Sequence, residues 1–161
     1  MTQGRVMAAT QGGAYVLRLT GDVRMTMCTS IDEYISHMLD DPAFASVWID
    51  LCDVEGLDST TLGQLARLAQ RVYARHGFRP AIYSCDDGIN RLLHSMGFKR
   101  LFDLNEDACS DSTVDVEDIP LVPGSEDVVK DRVIEAHRAL MGVSDENAER
   151  FRDLMAVLEA S

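Results

Sequence analysis

Residues 58–61 read Asp-Ser-Thr-Thr and stand directly ahead of a helical pattern. Leu62, Leu65, Ala66, Ala69, Val72 and Tyr73 recur three and four apart, with Gly63, Gln64, Arg67 and Arg71 on the other side. An acid followed by hydroxyls at such a place suits two chemistries. Asp58 or Ser59 can accept hydrogen bonds from the orphan N–H groups of the first turn. The second is reaction at one of the hydroxyls, a question that the segment raises and that its own spacing does not answer.

Other reactive side chains are weaker candidates. Asp50, Asp53 and Asp58 raise the question of a magnesium site, but Asp50 ends a strand-like run and Asp58 starts a helix, so turn and capping roles are preferred. Cys52 stands at a strand end with no histidine nearby in the chain to activate it. His37, His76, His94 and His137 do not cluster, and each lies on a predicted helix. His137, in "EAHRAL", is the nearest to a phosphotransfer histidine and reads as an ordinary surface residue. No G-x-x-x-x-G-K-[ST] loop is present, so nucleotide hydrolysis is not supported.

The elements that must position these residues alternate. "GGAYVLRLTG" (12–21) reads as a strand and "GDVRMT" as a loop. "MCTSIDEYISHMLDD" (27–41) is helical, stopped at Asp40-Asp41-Pro42. "SVWIDLC" (46–52) is a buried-strand run, followed by the helix that Gly77 closes. "RPAIYSC" (79–85) is another strand, "DDGINRLLHSMG" (86–97) a short helix, and "KRLFDLNE" (99–106) an edge strand. This alternation predicts an α/β layer with parallel neighbours and right-handed crossovers. Residues 106–125 hold nine Asp, Glu, Pro or Gly and read as an acidic linker or loosely held loop. Two capped helices follow, from Ser125 and from Ser144, separated by Gly142. Their expected arrangement is a hairpin packed on the domain, the alternative being a mobile tail that docks on a partner. The expected division is 1–110 for the α/β domain, 111–125 for the linker and 126–161 for the helical extension.

Composition bounds the rest. The chain has 161 residues, 46% hydrophobic and 26% charged, which suits one compact domain with an extension. Its net charge of −12 argues against a nucleic-acid backbone as partner. Residues 1–105 carry twelve acidic and ten basic side chains, whereas residues 106–161 carry fifteen and five, which marks a boundary. No run of eighteen apolar residues exists, so no membrane span is expected. Cys28, Cys52, Cys85 and Cys109 form no C-x-x-C pair; isolated cysteines without an export signal fit a reducing, cytoplasmic setting. Cys52 and Cys85 sit in apolar runs and read as small buried hydrophobes.

The stretch "VWIDLCDVEGLDSTTLGQLARL" resembles the STAS domain of anti-sigma factor antagonists. That pattern has a buried strand ending in Asp-Leu-Ser, a valine, an apolar residue, and Asp-Ser-Ser/Thr-Gly-Leu-Gly opening a helix. Asp50-Leu51, Val54, Leu57, Asp58-Ser59-Thr60 and Leu62-Gly63 match it. "LRLTGDV" is similar to the family's first strand and "GELD" turn, and "GINRLLHSMGFKRLFDL" to its third helix and following strand, so the resemblance spans about residues 12–106. Thr61 stands in place of a glycine, Cys52 in place of a frequent serine and Arg24 in place of an aspartate. The resemblance implies a STAS-like sheet of mixed and parallel strands covered by helices. It implies a non-enzymatic switch with no cofactor or metal and no catalytic residue. Ser59 is then phosphorylated by a serine-kinase-type anti-sigma factor and dephosphorylated by a PP2C-like serine phosphatase, and the dephosphorylated form binds the anti-sigma factor. Asp22, Met25, Asp58, Ser59, Thr60, Gly63 and Arg67 are the expected partner-binding residues, with Met25 as an adaptable contact and Met27 read as core packing. The alternatives are a STAS scaffold or ligand-sensing module without a phosphorylation cycle, and a small α/β enzyme using Cys52.

Overall fold

The computed structural model describes residues 2–108 and 114–161; Cys109 and the expected boundary at 110–111 lie outside the described residues. Six strands form one sheet: β1 (Arg5–Gln11), β2 (Ala14–Val23), β3 (Ser46–Leu57), β4 (Ala81–Tyr83), β5 (Asp103–Asn105) and β6 (Glu117–Asp118). Their order is β5-β4-β3-β2-β1-β6. The pairs from β2 to β5 are parallel, and β1 runs antiparallel to both β2 and β6. Five helices accompany them: α1 (Cys28–Asp40), α2 (Ser59–His76), α3 (Asp87–Ser95), α4 (Glu126–Met141) and α5 (Asp145–Ala160).

The expected α/β class, the helices and the edge position of β5 are all present. Sequence periodicity missed β1. The chain reverses at Gly12-Gly13 with φ of 59° and 88°, a two-residue loop whose twist suits a hairpin. Gly-Gly was the available signal; the small residues Ala8, Ala9 and Thr10 gave too little alternation to reveal the strand before it. Within the stretch read as linker, β6 pairs with β1, and Ile119 is buried against the core.

One face of the sheet receives the helices. Leu17, Leu19, Ile49, Leu51 and Ile82 meet Ile31, Ile35 and Met38 of α1 and Leu62, Leu65, Leu68 and Val72 of α2 in one continuous core. Burying each such side chain contributes about 1.5–3 kcal/mol. The cross-strand pair Arg18–Asp50 (2.9 Å) and the T-shaped contact of Trp48 with Tyr83 (5.8 Å) lie on strands β2 to β4. The two C-terminal helices form a hairpin, and α4 lies along the outer side of α2. Gly63 and Gln64, expected on a solvent side, are therefore buried.

Candidate functional site

The start of α2 is built by Asp58. One carboxylate oxygen accepts from the Thr61 N–H (2.9 Å), the N-capping bond that the Asp-Ser-Thr-Thr pattern predicts. The other accepts from the Met25 N–H (2.7 Å). Thr61 Oγ1 donates to the Val23 carbonyl (3.3 Å), as does the Asp58 N–H (3.4 Å). The loop after β2 is thus bound to the helix start, which puts Met25 beside Asp58–Ser59. Met25 is 42% exposed. Asp22 is half-buried and ion-paired with Arg24 at 2.8 Å. Thr60 and Thr61 are buried. Thr61 is used for this loop contact.

Ser59 is the first residue of α2 and is half-buried. Its Oγ lies 2.8 Å from Nε2 of His137, a residue of α4. The ring's Nδ1 is 2.7 Å from the Val133 carbonyl, which can only accept. Nδ1 therefore donates, and in the neutral ring Nε2 accepts from the Ser59 hydroxyl. His137 is 2% exposed and meets the Phe151 ring edge-on at 5.3 Å. The expectation of an ordinary surface histidine fails here because α5 and α2 close over both sides of α4. Nothing local in "EAHRAL" reports that.

Gly63, one turn further along α2, lies directly under Ala136. A Cβ at Gly63 would stand 2.5 Å from the Ala136 carbonyl carbon and 2.7 Å from its methyl group, so only glycine permits this approach. Arg67 then enters a four-charge group. It pairs with Asp32 of α1 (3.0 Å) and Glu135 of α4 (3.6 Å), and Arg132 of α4 pairs with the same two acids at 2.8 and 3.0 Å. Burial works against the Arg132 charge, and the hydrogen bond and charge of Asp32 more than restore it, so its pKa is raised. Gln70 adds a bond to the Ala139 carbonyl (2.9 Å). Sequence reasoning named Arg67 as a partner residue and set His137 aside as a surface residue; it did not name Asp32, Arg132 or Glu135 for the site.

The structure thus brings Asp22, Met25, Asp58 and Ser59 to one end of the sheet, and places Gly63 and Arg67 under α4. Two expectations change at the cysteines. Cys52 is half-buried and Cys85 exposed, and they form a disulfide with Cα atoms 5.0 Å apart, instead of standing as isolated hydrophobes. The parallel strands β3 and β4 bring their chain segments side by side, which their 33-residue separation hides in the sequence. Asp50 is engaged by Arg18 and by the Cys52 N–H (3.0 Å).

Among the described residues no helix is long and apolar enough to cross a membrane. The chain resembles a solved structure described as the "Crystal Structure of an Anti-sigma Factor Antagonist from Mycobacterium paratuberculosis". The TM-score is 0.55 at 22% identity, covering 64% of this chain and 86% of that one, a likeness of fold. A comparison with curated proteins finds no match. The STAS domain model matches residues 5–111, which include the sheet from β1 to β5, α2 with its Asp58 cap, and Ser59. This chain belongs to the STAS-domain family.

Proposed function

We propose that this chain is an anti-sigma factor antagonist whose switch is Ser59. One observation carries the reading. Ser59 occupies the first position of an 18-residue helix, behind an aspartate that caps the helix and also holds the neighbouring loop. The dephosphorylated chain binds a serine-kinase-type anti-sigma factor in the cytoplasm and so regulates transcription without catalysing a reaction itself. The anti-sigma factor transfers phosphate to Ser59 Oγ, and a PP2C-like phosphatase removes it.

The helix start itself favours such a phosphate, whose oxygens take the place of the Ser59 Oγ–His137 contact, so α4 must move aside to admit it. Orphan N–H groups and the dipole end favour an anion there by about 0.3–1 kcal/mol at an exposed site. The partner surface lacks that compensation. A phosphate facing an acidic or apolar patch weakens binding by an amount on the order of a few kcal/mol. Asp58 adds to the local negative charge, and Met25 offers an adaptable apolar contact beside it. In the form that carries the Cys52–Cys85 disulfide the Cys52 sulfur is not free to act as a nucleophile, which supports the non-enzymatic reading.

Intact-mass analysis with purified kinase-type anti-sigma factors and ATP tests the proposal. One added phosphate mapping to Ser59 is expected, with none on Ser59→Ala. Capture of the anti-sigma factor by wild type and its loss with Ser59→Asp complete the expectation. An unmodified Ser59, with Ser59→Ala and Ser59→Asp binding alike, refutes it and leaves a STAS scaffold without a phosphorylation cycle.

A further inference from the structure

We infer that α4 is a built-in occupant of the partner surface on α2, and that an anti-sigma factor must displace it to bind. The inference rests on the proposed function. The expected partner residues Ser59, Gly63 and Arg67 are each taken by a residue of α4: His137, Ala136 and Glu135 respectively. These three are consecutive on α4, and their partners lie on successive turns of α2. Residues 5–111, which match the family model, end before α4 begins, so the occupant comes from outside the STAS domain.

The character of the contact suits an exchangeable cover. Over Ser59–Arg67 it consists of one histidine–hydroxyl bond, one glycine–alanine approach and a charge group whose side chains keep 15% to 35% of their exposure. Side chains of Arg67 and Arg132 retain 35% and 25% of their exposure, so water can take over their pairing as the helices part. The apolar stripe of α2 faces the sheet, and α4 joins the same core through Ala139 and Leu140 at its C-terminal end. The same end is held by Val143 in the core and by Asn147 Nδ2, which donates to the Met96 carbonyl (2.9 Å). That end serves as a hinge, and the longer N-terminal part, about residues 126–138, with Val133, Ala136 and His137 as its buried members, is the part that opens.

The contact also describes what fits there in its place. A partner presents a helix with a small residue over Gly63, an acidic residue beside Arg67 and a hydrogen-bonding group for Ser59. Occupancy by α4 reduces the apparent affinity of such a partner by the fraction of chains that are open.

The test uses full-length chains. Ala136→Glu forces a charged side chain into the Gly63 contact, and Arg132→Ala/His137→Ala removes polar bonds without adding bulk, in case the first variant misfolds. Hydrogen exchange reads the opening with no partner present. Amides of 126–138 are expected to exchange at least about tenfold faster than in wild type, with residues 46–57 unchanged. Binding is then measured with the kinase-type anti-sigma factors used above, and is expected to tighten at least about tenfold in the opened variants. If exchange over 126–138 is unchanged in both variants, α4 is part of the core and the inference is overturned. If the helix opens and affinity stays equal to wild type, the inference is overturned while the proposed function stands. If no form of the chain binds any of these anti-sigma factors, the proposed function is overturned and the inference with it.

Discussion

Replacing Gly63 with alanine separates two effects that usually oppose each other unseen. In an isolated helix the change is favourable, by about 0.5–1 kcal/mol, since glycine loses more backbone freedom and alanine is the best helix former. That gain belongs to α2 and hence to the whole domain. The added methyl group stands 2.5 Å from the Ala136 carbonyl carbon, against an ordinary carbon–carbon contact of about 3.5–4.0 Å. The obstructing atoms are backbone, which cannot rotate aside, so α4 must move out by about 1 Å. Overpacking of this kind costs about 1–3 kcal/mol. The same displacement stretches the 2.8 Å Ser59–His137 bond beyond hydrogen-bond length, losing about 1 kcal/mol more.

The second effect wins at the α2–α4 contact, and the first wins in the sheet. Hydrogen exchange over residues 126–138 is therefore expected to accelerate roughly thirty- to a thousandfold, while exchange over β3 slows or stays constant. Gly88→Ala on α3 is the control. Its methyl group meets no backbone but stands 3.0 Å from Asp86 Oδ2, which accepts from the Ile89 N–H, so it shows the propensity term with a small shift of that cap and without a backbone collision. Unchanged protection of 126–138 in Gly63→Ala refutes the close approach. A uniform loss of protection across β3 and α4 refutes the separation of core from cover.

Asp58→Ala removes the acceptor for both the Thr61 and Met25 N–H groups, and a loss of about 1–2 kcal/mol is expected from urea unfolding. Reducing the Cys52–Cys85 disulfide reopens a loop of 33-residue separation, so the urea midpoint falls by the equivalent of about 3–4 kcal/mol, and Cys85→Ser shows the same loss without reductant. Asp41 sets an acid-side dependence. The Tyr15 hydroxyl, bonded at 2.6 Å, and then the Ala43 N–H hold its pKa below the ordinary carboxylate value. A depressed folded-state value means that this stabilisation is present above the unfolded value of about 4 and lost as pH falls through the folded one. Tyr15→Phe is expected to flatten unfolding stability over that acidic window, as measured by denaturant midpoints at successive pH values.

Short-range pattern was enough for much of this protein. The spacing of Leu62, Leu65, Ala66, Ala69 and Val72 specifies a helix with a buried stripe, because a helical turn brings those positions to one face. Asp58 announces its cap three residues ahead of the N–H it satisfies. The family resemblance of the surrounding motif is what singles out Ser59 as the proposed acceptor, and the alternation of strand and helix runs is enough for the α/β class. The tertiary structure decided which faces stay open and which distant residues meet. Ser59 finds His137 across 78 positions, and Cys52 finds Cys85 because parallel strands lie side by side. Gly63 looked solvent-facing, since periodicity shows one buried stripe per helix and cannot report a second layer laid over the first. The cover over Gly63 and Arg67 exists only once α4 has crossed α2, and that crossing depends on shape and charge at long range.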